Sequence, residues 1–142
     1  MNTESQKSVP TRVILPLQEA RSEPWYLNFN DPRSPHDAWL ARLNFAIEGE
    51  EQDEADCAKT LQIVLLGSYH DGTITLTYKN VRTYSCALKK EEVPGMIWRR
   101  DNWLEDSAVL FNDLIQHRIK WEQEEWLIEA KEILYDWKAF TS

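Results

Sequence analysis

Thr60–Tyr78 reads TLQIVLLGSYHDGTITLTY, and this stretch decides the fold. Leu61, Ile63 and Leu65 alternate with Gln62, Val64 and Leu66. A period of two is that of a β-strand, and apolar residues on both faces mark a strand at the centre of a sheet. Asp71-Gly72 is the chemistry of a tight hairpin turn, where positive φ is needed. The return arm has Ile74, Leu76 and Tyr78 on one face and Thr73, Thr75 and Thr77 on the other. Threonine suits a pleated, solvated face. The stretch therefore predicts a central hairpin over residues 61–78, and it carries no catalytic signature.

Working outward, Trp39, Ala41, Leu43, Phe45 and Ile47 alternate as one face of a further strand. Glu48, Glu50, Glu51, Asp53, Glu54 and Asp56 follow within nine residues. Carboxylates this dense repel one another and prefer water, so the segment is a loop between strands. Lys79-Asn80 allows a bend before a strand over 81–88. Residues 89–108 read as irregular, with a turn at Pro94-Gly95 and a short helix starting near Asn102. Toward the N-terminus, Pro10, Pro16 and Pro24 punctuate a polar segment. Residues 1–24 read as an arm whose Val13-Ile14-Leu15 can add an edge strand, and residues 25–142 as one domain.

The last third supports two readings. Ile115, His117, Ile119 and Trp121 alternate, as do Trp126, Ile128 and Ala130, and Ile133, Tyr135 and Trp137. Yet Trp126, Ala130, Ile133 and Trp137 also form a helical stripe, in a segment rich in helix formers. From the residues alone the helix is slightly ahead over 122–140.

A chain of 142 residues fits a single domain. Its 42% hydrophobic and 28% charged residues are those of a soluble globular protein. A net charge of −8 argues against nucleic acid, because the basic doublets Lys89-Lys90 and Arg99-Arg100 are isolated. A basic protein is the better electrostatic match. The N-terminus lacks the apolar core of a signal peptide, and no run approaches a membrane span. The expected location is the cytoplasm. Cys57 and Cys86 have no paired spacing, so neither a disulfide nor a metal site is indicated.

His36-Asp37 and His70-Asp71 are the pairs that a metal-dependent enzyme would use, if the fold joined them. The plainer reading is turn chemistry at strand boundaries. His117, between Ile115 and Ile119, reads as a buried, hydrogen-bonded histidine rather than a catalytic base. Asp101, Glu105, Asp106 and Asp113 read as a solvated face. Four glycines build no phosphate loop. Of seven tryptophans, Trp39, Trp121, Trp126 and Trp137 lie on patterned faces and belong to the expected core. Trp98 and Trp103 flank Arg99 and Arg100, and either anchor a partner or cap the sheet.

Three segments carry a resemblance: SPHDAWLARLNF at 34–45, LLGSYHDGTITLTYKNVRTYS at 65–85, and EWLIEAKEILYDW at 125–137. They resemble a group of small bacterial proteins sharing HDAWL, LLGxYHDGxIxLxY and WxIEAxxIxYxW motifs. Glu122–Glu125 departs from that pattern in lacking a turn glycine. The resemblance tips residues 113–138 toward strands. Such compact acidic proteins are similar in kind to immunity proteins, which neutralise toxins by binding them.

The expectation is a single β-rich α+β domain on an antiparallel sheet. Its predicted core is Trp39, Leu43, Phe45, Ile63, Leu65, Ile74, Leu76, Tyr78, Ile119, Trp126, Ile128, Ile133 and Trp137. The expected function is stoichiometric binding of a basic toxin, with no catalysis, cofactor or metal. The partner-binding residues would be Glu48, Glu50, Glu51, Asp53, Glu54, Asp56, Trp98, Arg99, Arg100 and Trp103. The rivals are a metal enzyme on His36, Asp37, His70 and Asp71, and a protein that self-associates through a strand edge.

Overall fold

The computed structural model describes residues 10–48, 58–86 and 102–140. They form β1 (Arg12–Pro16), α1 (Leu17–Arg21), β2 (Trp39–Glu48), β3 (Ala58–Leu66), β4 (Gly72–Ser85), β5 (Trp103–Phe111), β6 (Leu114–Trp121) and β7 (Glu125–Ala139). The strands make one antiparallel sheet in the order β2-β3-β4-β7-β6-β5, with β1 added to β7. The only helix among the described residues is the five-residue α1, so the helical share expected of an α+β protein shrinks to one turn and a half. It is too short to cross a membrane, and so is every helix among the described residues.

The hairpin at 61–78 is present, with Leu61 opposite Tyr78, Ile63 opposite Leu76 and Leu65 opposite Ile74. Its connection differs from the expected tight turn. β3 ends at Leu66 and β4 begins at Gly72, leaving a five-residue loop in which His70, not Gly72, takes positive φ. Gly67 and Gly72 are present for another reason. The Trp137 indole lies against both, and a Cβ on Gly72 would sit 2.4 Å from Trp137 Cη2 and 2.7 Å from the Lys138 carbonyl.

The C-terminal third is strand throughout, and its helical stripe has a structural cause. Along β7 the buried side chains are Trp126, Ile128 and Ala130, then Ile133, Tyr135 and Trp137. Lys131 and Glu132 are both exposed, so the alternation slips by one residue between them. Two strand segments joined by such a slip reproduce helical spacing. β4 slips at the same level, where Lys79 pairs with Glu132 and Asn80 has φ 56°. Asparagine tolerates this left-handed conformation better than most residues. The bend expected at Lys79-Asn80 is thus a slip within one long strand, which continues to Ser85. β7 also changes neighbours there: β6 pairs with it up to Ala130, and β1 from Leu134.

The arm expected over 1–24 is part of the fold from Arg12 onward. β1 supplies the edge strand foreseen at Val13-Ile14-Leu15, and Leu17 and Ala20 of α1 are buried. From there residues 22–38 cross the buried face of the sheet, burying Trp25, Tyr26, Ser34 and Ala38. Trp25 packs on Tyr135 with ring centroids 5.3 Å apart, and the Arg33 guanidinium lies 4.7 Å over Trp25. The Tyr135 hydroxyl donates to the Arg33 carbonyl.

The expected helix near Asn102 is a strand. Trp103 begins β5, and its backbone exchanges hydrogen bonds with Asp37 and Ala38. Asn102 bridges to Trp39 at the start of β2, so the two edge strands meet at one end of the curled sheet. The sheet order is closed nowhere else among the described residues.

Candidate functional site

The predicted partner-binding residues divide into three groups. Glu50, Glu51, Asp53, Glu54, Asp56, Trp98, Arg99, Arg100 and the turn at Pro94-Gly95 lie outside the described residues. Glu48 ends β2, so the acidic stretch begins where that strand stops and closes where β3 starts at Ala58. Trp103 is a core residue, packed edge-on against Trp121 at 5.6 Å and close to His117. Of its two expected roles, it has the one inside the sheet.

Phe45 takes the place on the surface that Trp103 leaves. The alternation put Phe45 in the core, and its register agrees, since it lies opposite buried Leu61. Directly opposed residues share a face. Phe45 stands on the terminal strand β2, however, and is 43% exposed. Tyr84, opposite buried Ile128, is 51% exposed, and the two rings touch at 5.1 Å. The pair carries the apolar face of the sheet past its buried edge. Phe45 is three residues before Glu48, where β2 ends and the acidic stretch of the sequence begins. Trp39, also expected in the core, is half-buried, with its ring 4.7 Å from His70.

The two His-Asp pairs do not combine. His36 stacks on Phe29 at 3.7 Å and lies 3.4 Å from Asp37. His70 sits in the β3–β4 loop. Among the described residues, no three His, Cys, Asp or Glu side chains gather in a metal-binding group.

The buried polar centre lies elsewhere. His117 is fully buried, as its apolar strand face implied, and both ring nitrogens are engaged. Nδ1 lies 2.7 Å from the Tyr78 hydroxyl, and Nε2 lies 2.7 Å from Asp106 Oδ2. The same oxygen accepts from Arg21 Nε at 3.2 Å and from the Tyr26 hydroxyl at 3.0 Å. Arg21 also donates to the Asp106 carbonyl at 2.9 Å. The Asp106 side chain is only 2% exposed, so the solvated role expected for it is wrong. Placed on the inner side of β5, its carboxylate is kept by three donors, one of them a guanidinium.

Proton positions follow from the partners. Burial, followed by the Asp106 charge, pushes the Tyr26 phenol well above its ordinary range. Burial, then Cys86 and Asp106, does the same for Tyr78. Both are therefore neutral hydroxyls. An ionised Asp106 only accepts, so His117 Nε2 carries a proton toward it, and in the neutral imidazole Nδ1 then accepts from Tyr78. This tautomer gives a partner to both ring nitrogens and to Asp106 Oδ2.

No family model, no curated protein and no solved structure matches this chain. A lone histidine on an apolar face signals a buried partner, but nothing local in the sequence names Asp106 or Arg21 as that partner. The contact of Phe45 with Tyr84 joins β2 to β4 across the sheet and is not legible in either strand's sequence.

Cys86 is a free thiol near the same end of the sheet. Burial and then the Glu124 charge push it up to about 12. Three units above an ordinary thiol means roughly a thousandfold less thiolate at pH 8. Alkylation of Cys86, followed by peptide mass spectrometry, is expected to be at least about a hundredfold slower than in the urea-unfolded chain. Equal rates in the two states would contradict the burial described here.

Proposed function

We propose that this chain is a non-catalytic binding protein of the immunity type, which neutralises a bacterial toxin of basic surface in the cytoplasm. The observation that carries this reading is the exposed Phe45–Tyr84 ring pair, with Phe45 three residues before the start of the acidic stretch at Glu48. An aromatic anchor beside dense charge is the composition of a protein-binding hot spot. The rings exclude water at the centre of an interface. The carboxylates steer a basic partner toward it and set the register. The buried Asp106–His117 centre supports the reading from the other side, because its groups are consumed in holding the sheet together.

The test begins with growth rescue, by co-expression against a set of basic bacterial toxins. Binding kinetics with the rescued toxin then separate the two contributions. Phe45→Ala or Tyr84→Ala is expected to weaken binding by more than about 2 kcal/mol, mainly through faster dissociation. Replacing Glu50, Glu51, Asp53 and Glu54 together with Gln or Asn is expected to slow association and flatten its salt dependence. A rescued toxin whose binding ignores all six positions would remove this surface from the account. Rescue by no toxin, with the protein folded, would remove the immunity reading itself.

A further inference from the structure

Among the described residues, the outer edge of β5 is protected over one half and bare over the other. Near its start, Trp103 exchanges backbone hydrogen bonds with Asp37 and Ala38. Next, the Arg21 guanidinium covers the Asp106 carbonyl. From Ser107 to Phe111 the described residues supply pairing only from β6, on the inner edge.

This half lacks the devices that natural edge strands use against pairing. Ser107, Ala108, Val109, Leu110, Phe111 and Asn112 include no charge and no proline. The β5 bulge lies at the far end, between Trp103 and Glu105. Val109, Leu110 and Phe111 are each more than half exposed. Successive residues of a strand point to opposite faces, so both faces of the tip project past the sheet. The turn that follows is rigid, with Asn112 and Asp113 both at positive φ and Phe111 paired with Leu114.

We propose that the β5 edge pairs antiparallel with β5 of a second copy of this chain, in a register centred on Val109. The charge distribution selects that occupant. In a chain of net charge −8, two copies repel wherever carboxylates face each other, and the paired run 107–111 brings none together, Glu105 and Asp113 of the other copy coming opposite only beyond its ends. The hydrogen-bond parity selects the register. The Asp106 carbonyl points outward, because Arg21 reaches it from outside the ladder. Outward direction recurs at every second residue, so Ala108 and Leu110 present the outward N–H and C=O groups. Centring on Val109 sets Ala108 opposite Leu110 of the other copy, and Leu110 opposite its Ala108. Each such pair exchanges both backbone bonds. Val109 faces its own symmetry mate in the closer, non-hydrogen-bonded position, and Phe111 faces Ser107. The interface is isologous and closes as a dimer. It is separate from the Phe45–Tyr84 surface and does not rest on the toxin-binding reading.

Sedimentation equilibrium of the full chain, over a hundredfold concentration range, tests this. The expected result is a reversible approach to twice the chain mass. Val109→Lys puts two ammonium groups across the two-fold axis and is expected to raise the dissociation constant at least tenfold. Leu110→Pro removes one outward donor while leaving the inner ladder, and is expected to do the same. Far-ultraviolet circular dichroism and an unchanged melting temperature establish that both variants are folded. Should either variant unfold, Phe111→Glu, which faces Ser107 across the axis, replaces it with the same expectation. A wild-type chain that stays monomeric at the highest concentration overturns the proposal. So does a dimer that survives Val109→Lys, and so does a β5 that pairs with a different protein while the pure chain stays single.

Discussion

Asp106→Ala is expected to lower the stability of the protein by about 3–5 kcal/mol, the cost of breaking a buried charge pair. The substitution removes the whole carboxylate, and the loss of Oδ2 alone strands three donors at once. Arg21 Nε, the Tyr26 hydroxyl and His117 Nε2 all point at Oδ2, at 3.2, 3.0 and 2.7 Å. Leaving a buried donor unmet is worse than never having placed it there. Arg21 can swing toward water, since its side chain is 27% exposed, but Tyr26 and His117 cannot. Asp106→Asn is expected to cost less, because its amide oxygen still accepts, although one amine now faces donors. Urea unfolding of both variants gives the order. A loss below about 1 kcal/mol for the alanine variant would mean that the network contributes no more than one ordinary hydrogen bond. A double-mutant cycle with Arg21→Ala isolates the ion pair, since coupled neighbours are non-additive. Long-range nitrogen–proton NMR correlations give the tautomer of His117, expected to carry its proton on Nε2.

Gly72→Ala is expected to cost about 2–3 kcal/mol, at the upper part of the range for overpacking a tight core site. The added methyl would meet Trp137 Cη2 at 2.4 Å, Cζ2 at 2.8 Å and the Lys138 carbonyl at 2.7 Å. The indole is buried and its opposite end is fixed, because Nε1 donates to the Pro10 carbonyl at 3.3 Å. The carbonyl belongs to the β4–β7 ladder, where Thr73 pairs with Lys138. The origin of the cost is close approach and not turn conformation, and Gly72→Asn separates the two. Asparagine tolerates positive φ, so it would rescue a turn glycine, but here it is expected to be at least as damaging as alanine. Melting temperatures of the two variants decide this. A milder asparagine variant would return Gly72 to the role its Asp-Gly context suggests.

The strand content of this protein was legible because a β-strand writes its period residue by residue. Ile74, Leu76 and Tyr78 alternate in the sequence and are buried in the structure. So do Ile119 and Trp121, and the histidine between apolar neighbours is indeed buried with partners. The C-terminal hairpin forms without the turn glycine that Glu122–Glu125 lacks, through a Trp121 N–H donating to the Glu124 carbonyl. The helical stripe misled for a definite reason. A slip of one residue at Lys131-Glu132 turns a period of two into an apparent period of 3.6 over the two segments. Local sequence records the spacing of apolar side chains but not whether a bulge intervenes.

What the sequence by itself determined, then, is which residues lie in strands and which share a face, because both depend on the backbone period within a few residues. Only the tertiary structure decided depth. Phe45 and Leu61 face each other across β2 and β3, yet one is buried and the other exposed. Phe45 stands on β2 at the end of the strand order, whereas Leu61 stands on β3 between two neighbouring strands. Asp106 and His117 became partners because β5 and β6 pair in one register, and Arg21 joined them from a segment 85 residues earlier. Arg12 reaches Asp136 across 124 residues for the same reason. Burial and polar pairing depend on which element arrives from far along the chain, and that is settled by the packing of the whole sheet rather than by any stretch of it.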